Sequence, residues 1–225
     1  MFLLSKGRLA ISSLFLEGTN ILIRGAWNQA ILHPDWLVKH VPSLSEPSSK
    51  PTLEMMVFPF HVRVVFEDFF IKPSQESLTI EPRRDDPEIF KKISKISEEI
   101  YSQLQHTPIT GVGHNFAFIL DAEEVFISSH TVLDETVKDN LPDELSAMLG
   151  PDMASKLSYS FNFTDKGYTL NLTFDNAEDG TRRLNFNFHY NLKNKPPEEV
   201  NQVLASFSES YTIAEKVKDA MIKED

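Results

Sequence analysis

Three consecutive segments toward the C-terminal end alternate apolar and polar residues almost without interruption, and their polar side is uncharged. In the first, Leu157, Tyr159, Phe161 and Phe163 alternate with Ser158, Ser160, Asn162 and Thr164. In the second, Tyr168, Leu170, Leu172 and Phe174 alternate with Thr169, Asn171 and Thr173. In the third, Leu184, Phe186, Phe188 and Tyr190 alternate with Asn185, Asn187 and His189. A period of two sends successive side chains to opposite faces, so each segment reads as a half-buried strand. The connections are short, and the first ends in Gly167, where a left-handed turn residue is needed. The expected unit is an antiparallel meander with one apolar face and one neutral polar face. A face made for bulk water normally carries Lys and Glu. One of Ser, Thr, Asn and His tolerates being covered.

Upstream, residues 9–16 and 20–27 read as a hairpin around Glu17-Gly18-Thr19-Asn20, and His33-Pro34-Asp35 as the start of a short helix. Residues 42–52, rich in Pro and Ser, read as a flexible loop. A strand is expected over 57–68, with Phe60, Val62, Val64 and Phe66 inward, and a shorter one around Leu78 and Ile80. Asp86 and Pro87 open the clearest helix, whose stripe is Ile89, Phe90, Ile93, Ile96, Ile100, Tyr101 and Leu104. Thr107-Pro108 ends it. Residues 109–120 form a strand with Val112, His114, Phe116, Phe118 and Leu120 on one side and the small, neutral Gly111, Gly113, Asn115 and Ala117 on the other. Two short helices are expected in 129–149, broken at Pro142. A last helical region starts at Pro196-Pro197, with the stripe Val200, Val203, Leu204, Phe207, Tyr211, Ala214, Val217 and Met221, weakened from Ser208 to Thr212.

Composition narrows the chemistry. The absence of cysteine excludes disulfides, Cys-ligated zinc, iron–sulfur clusters and thiol catalysis within this sequence. The net charge of −11 argues against a nucleic-acid binder, which needs a cationic surface for phosphates. No stretch approaches the roughly 18–20 apolar residues of a membrane-spanning helix. The opening residues, Met1 to Arg8, are briefly apolar and then charged, unlike a signal peptide. A cytoplasmic location and the absence of a membrane partner are therefore expected.

Motifs for catalysis are sparse. The chain has no His-Glu-x-x-His, Walker loop, Gly-x-Ser-x-Gly or Gly-x-Gly-x-x-Gly. His61, His114 and His189 lie on expected strands, but His114 shares parity with Phe116 and Phe118, whereas His189 lies on the polar side. A hydrogen-bonded core histidine is the better reading of His114, and no metal site is assigned. Glu67, Asp68, Asp121, Glu123 and Glu124 are carboxylates at strand ends, where metal ligands and ordinary solvated acids both collect.

The run Asp86-Pro87-Glu88-Ile89-Phe90, continuing to Thr107-Pro108-Ile109-Thr110-Gly111-Val112-Gly113-His114-Asn115-Phe116, resembles a family of sporadically distributed bacterial proteins of uncharacterised function and about this length. In that family a helix introduced by a Tyr-Pro-x-Phe-like stretch leads into a Pro-Ile-Thr-x-Val-Gly-x-x-Asn strand. Pro73-Ser74 and Leu78-Thr79-Ile80 fit the same pattern. The resemblance spans roughly residues 55–120 and departs at the helix start, where Asp86 replaces the aromatic. It implies a prokaryotic or phage-related cytosolic protein and transfers no catalytic residue.

These readings predict an α+β chain of antiparallel sheets, including the C-terminal three-stranded meander, each backed by a long amphipathic helix. Residues 1–225 are expected to form one domain of two β-rich halves, about 1–120 and 121–225. The expected role is a non-catalytic interaction or assembly protein. It would bind a protein partner or a second copy of itself through Ser158, Ser160, Asn162, Asn171, Asn185, Asn187 and His189, without a cofactor. The alternative is an acidic antitoxin, immunity protein or holdase-like chaperone. A divalent-metal enzyme using Glu67, Asp68, Asp121 and a histidine ranks lower.

Overall fold

The computed structural model describes residues 12–45, 50–57, 60–120, 156–176 and 181–221. The expected helices in 129–149, the acids Asp121, Glu123 and Glu124, and residues 46–49 of the expected loop lie outside the described residues. The described strands are β1 (Ser13–Leu14), β2 (Asn20–Gly25), β3 (Thr52–Val57), β4 (Phe60–Val65), β5 (Phe69–Pro73), β6 (Ser77–Pro82), β7 (Ile109–Leu120), β8 (Lys156–Phe163), β9 (Tyr168–Asn176) and β10 (Arg182–Asn191). The helices are α1 (Pro34–His40), α2 (Pro87–Gln103), α3 (Pro197–Ala205) and α4 (Phe207–Met221). This is the α+β composition the alternation predicts. All ten strands join one sheet, in the order β3-β4-β5-β6-β2-β7-β10-β9-β8, with β1 also on β7.

β7 is the seam. Along one side it pairs with β10, from Gly111↔Asn191 to Leu120↔Arg182. Along the other it pairs with β2 and then β1. β2 also pairs with β6, so a strand from the start of the chain joins the first strand group to the meander. The hairpin expected over 9–27 is thereby corrected. β1 and β2 do not pair with each other but follow one another along the same side of β7, separated by a 3-10 turn at Leu16–Gly18. The Phe15 N–H bonds the Ala117 carbonyl at 2.7 Å, and the Thr19 hydroxyl closes the turn onto the Phe15 carbonyl at 3.0 Å. The turn residues are real, but they bulge the strand outward instead of reversing it.

The meander has the expected order, β8-β9-β10, with every register keeping the two parities apart. Gly167 takes the left-handed conformation, with φ 72°. Two strands escaped the sequence reading: β3 starts directly after Pro51, and β5 follows the turn after β4.

Helix α2 begins as its cap residues dictate, with the Asp86 carboxylate accepting the Glu88 N–H at 2.9 Å and Pro87 in the first turn. Its stripe from Ile89 to Tyr101 is buried. The last helical region breaks at Ser206, a little earlier than the weakened stretch, and the Ser206 hydroxyl bonds the Val203 carbonyl at 2.8 Å. α4 then meets α2 closely, because the Ser94 hydroxyl of α2 accepts the Ser208 N–H at 3.1 Å.

An aromatic cluster fastens these helices to the sheet. The Phe207 ring stacks on Phe116 of β7 at 5.0 Å and meets His114 at 5.4 Å and Phe90 of α2 at 6.2 Å. Tyr211 contacts Phe90, Phe116 and Phe118. Replacing Phe207 with Ala removes one of the two rings, with Tyr211, by which α4 touches both the sheet and α2. Urea denaturation should show a loss of about 3–5 kcal/mol for Phe207→Ala, the range for a fully buried aromatic. A loss below about 1 kcal/mol would show that the cluster does not hold the layers together.

Candidate interaction surface

Because each strand alternates, one face of the sheet receives the helices and the other carries the polar parity. Ser158, Ser160, Asn162, Asn171, Asn185, Asn187 and His189 all lie on this outer face, on β8, β9 and β10. The register sorts them into rows. Ser158 aligns with Thr173 and Asn185, and its hydroxyl lies 3.2 Å from that of Thr173. Asn162 aligns with Thr169 and His189, and both ends of that row are exposed.

The middle row is a continuous hydrogen-bonded ladder. The Ser160 hydroxyl donates to Asn171 Oδ1 at 2.7 Å. Asn171 Nδ2 donates to Asn187 Oδ1 at 3.0 Å, and Asn187 Nδ2 to Asn115 Oδ1 at 2.7 Å. Asn115 Nδ2 donates to Asn20 Oδ1 at 2.8 Å. The ladder crosses β8, β9, β10, β7 and β2 with every bond in the same sense, so each amide polarises the next. Gly113 makes room for it, since a Cβ there would lie 3.1 Å from Asn187 Nδ2. Asn115 and Asn20 are members that the sequence reading did not assign to the surface. The neutral parity of Gly111, Gly113, Asn115 and Ala117 signals the first; nothing local signals the second.

The same outer face changes character across β6. There Lys72 pairs with Glu81 at 2.5 Å, and Glu54 of β3 pairs with Arg63 of β4 at 2.7 Å. Phe70 lies between two guanidiniums, with Arg63 4.2 Å and Arg83 5.1 Å from its ring centre. The charged half is made for water. The half spanning β2, β7, β10, β9 and β8 carries Ser, Thr, Asn, Gly and His, with the apolar Leu22 and Ala117 among them, until Asp175, Arg183 and Ile119 close it at one end and Arg24 at its β2 corner. Among the described residues no helix packs on it: α2, α3 and α4 gather on the opposite, apolar face.

His114 and His189 do not converge. His189 is exposed on the outer face, whereas His114 is fully buried beneath the helices. As expected, His114 is a bonded core residue: its Nδ1 lies 2.9 Å from the Ser210 hydroxyl of α4, which also lies 3.5 Å from the Tyr190 hydroxyl. Its Nε2 has no hydrogen-bond partner. Burial holds the imidazole down to about 3, against a smaller opposing pull from the Val203 carbonyl. Among the described residues this Ser–His contact has no carboxylate behind the ring, and the ring is closed off from solvent. Asp68, a candidate metal ligand, instead bonds the Arg84 guanidinium and, at 3.0 Å, the Lys92 ammonium. Burial pushes its carboxyl upward, but Lys92 and Arg84 outweigh this and hold it below the usual value. Among the described residues no group of His, Asp and Glu is arranged to hold a metal.

Two consequences are measurable. Asn187→Ala removes two ladder bonds and should cost about 1–3 kcal/mol in urea unfolding, at roughly 0.5–1.5 kcal/mol per bond. Asn162→Ala, exposed and outside the ladder, should stay within about 0.5 kcal/mol. Equal effects would deny the ladder a structural role. For His114, the unfolded ring takes up a proton near 6.5 and the buried one near 3. Its stabilisation is therefore complete above 6.5 and falls with pH between those limits, by at most about 1.4 kcal/mol per pH unit. The drop in thermal midpoint from pH 6.5 to 4.5 should be smaller in His114→Gln. An unchanged slope would contradict this.

No family model matches this chain, and no curated protein matches its sequence.

Proposed function

We propose that this is a non-catalytic interaction or assembly protein that works through the uncharged outer face of β8, β9, β10, β7 and β2. One observation carries the reading. A single sheet face is divided into a half with ion pairs and a half whose inner rows carry no charge, with Asp175, Arg183 and Arg24 at its margins, in a chain of net charge −11. Charged side chains are costly to desolvate, whereas hydroxyls and amides already bonded to one another lose less when water leaves. The ladder satisfies its amide groups internally and presents a pre-organised surface, so little side-chain order remains to be imposed on binding. The resemblance to sporadically distributed bacterial proteins fits a cytoplasmic role of this kind.

A second reading, an acidic antitoxin, immunity protein or holdase-like chaperone, rests on the net charge. Salt separates the two. Capture of a basic partner weakens steeply with ionic strength, while association through the neutral face changes little.

The test is to purify the tagged chain from its source cells at low salt, identify stoichiometric companions and measure the mass of the complex. The double variant Asn185→Lys with His189→Lys places charge on the face outside the ladder and away from the edge strand. It should lose the companion, or the self-assembled mass, by tenfold or more, with circular dichroism and thermal midpoint unchanged. Full retention of the complex by this folded variant would overturn the proposal.

A further inference from the structure

The two edges of the sheet are built differently. β3 follows Lys50 and Pro51, and its outer-face Glu54 is paired with Arg63, devices that discourage pairing with another strand. β8 has Lys156 at its first position and no such device beyond it. From residue 157 to 164 it carries no charge, and among the described residues nothing pairs with the side turned away from β9. Among the described residues that side is a row of unpaired backbone N–H and C=O groups along a strand of eight residues. On the apolar face of this strand Tyr159 is 40% and Phe161 47% exposed, their rings 6.2 Å apart and 26° from parallel.

We propose that β8 pairs antiparallel with β8 of a second copy, about a two-fold axis at Ser160. This rests on the interaction reading above and names its partner. Opposed residues in an antiparallel pair share a face, so the register must match parity with parity. Centring on Ser160 does so over seven positions. Tyr159 meets Phe161 of the second copy, Ser158 meets Asn162, and position 157 meets Phe163. Aromatic side chains thus face aromatic ones, and amides face hydroxyls. Lys156 and Asp165 stay outside the paired stretch. The contact is isologous and closes at two copies, whereas β8 on β3 would repeat without end. The joined sheet carries two neutral outer faces side by side, with the two asparagine ladders in line across the axis. Both chains are acidic overall while the strand between them is neutral. Added salt therefore strengthens this association by screening, the opposite of its effect on capture of a basic partner.

The test uses charge exchange on the edge and sedimentation velocity on the full chain. Tyr159→Lys with Phe161→Lys sets Lys against Lys across the axis, and Tyr159→Glu with Phe161→Glu sets Glu against Glu. Each variant should raise the dimer dissociation constant by about ten- to hundredfold. An equimolar mixture of the two should recover a heterodimer, which also shows that both variants fold. A wild-type chain that stays monomeric at its highest soluble concentration overturns the edge pairing, and so does a dimer that persists in both variants. The face reading fails separately. A dimer unaffected by the edge variants but lost in Asn185→Lys with His189→Lys overturns only the edge, as does a monomer that still captures a stoichiometric companion through the face.

Discussion

The double pairing of β7 is the constraint from which the rest of the structure follows. A strand hydrogen-bonded on both sides has no freedom of register, and its two parities must suit two different surroundings at once. On one side Val112, Phe116 and Phe118 form the floor on which Phe207 and Tyr211 rest. On the other, Gly111, Gly113, Asn115 and Ala117 are small and neutral, which lets β2 and β10 continue a polar face across the seam. A large residue on that second parity would block the ladder at its centre. A charged one on the first would be buried without a partner.

The neutral face gains its order from pairing. A lone exposed asparagine contributes little, but a row placed in register on neighbouring strands satisfies its own donors and acceptors. Beyond β6 the sheet manages the same outward parity with ion pairs instead. These two treatments of one surface are what separate a part meant to stay wet from a part suited to being covered. The edge at β8, with its aromatic pair and its uncharged run from residue 157 to 164, belongs chemically to the second part.

Local patterns made much of this legible. The alternation over 157–190 set the strands and parity of β8, β9 and β10, and Asp86-Pro87 with the isoleucine stripe marked α2, because caps and periodicity are written within a few residues of where they act. β3 and β5 were harder. Phe69–Pro73 is five residues long and ends in proline, and Thr52–Val57 begins beside a Pro- and Ser-rich stretch whose composition argues for a loop. The placement of β2 between β6 and β7 depends on pairing across more than 50 residues, and no local signal encodes it. The same is true of the ladder. The asparagines were visible, but their alignment comes from the registers of four strand pairs, and Asn20 joins only because β2 lies where it does.

The most direct test of the central claim, that the uncharged half of the outer face is covered in the working assembly, is side-chain amide NMR with a neutral paramagnetic co-solute. The Asn162, Asn171, Asn185 and Asn187 amide signals would be compared in the isolated chain and in its assembled state. The account predicts that relaxation enhancement at these amides falls on assembly, while the backbone amides around Lys72 and Glu81 keep theirs. Unchanged enhancement at the four asparagines, with assembly otherwise complete, would contradict it.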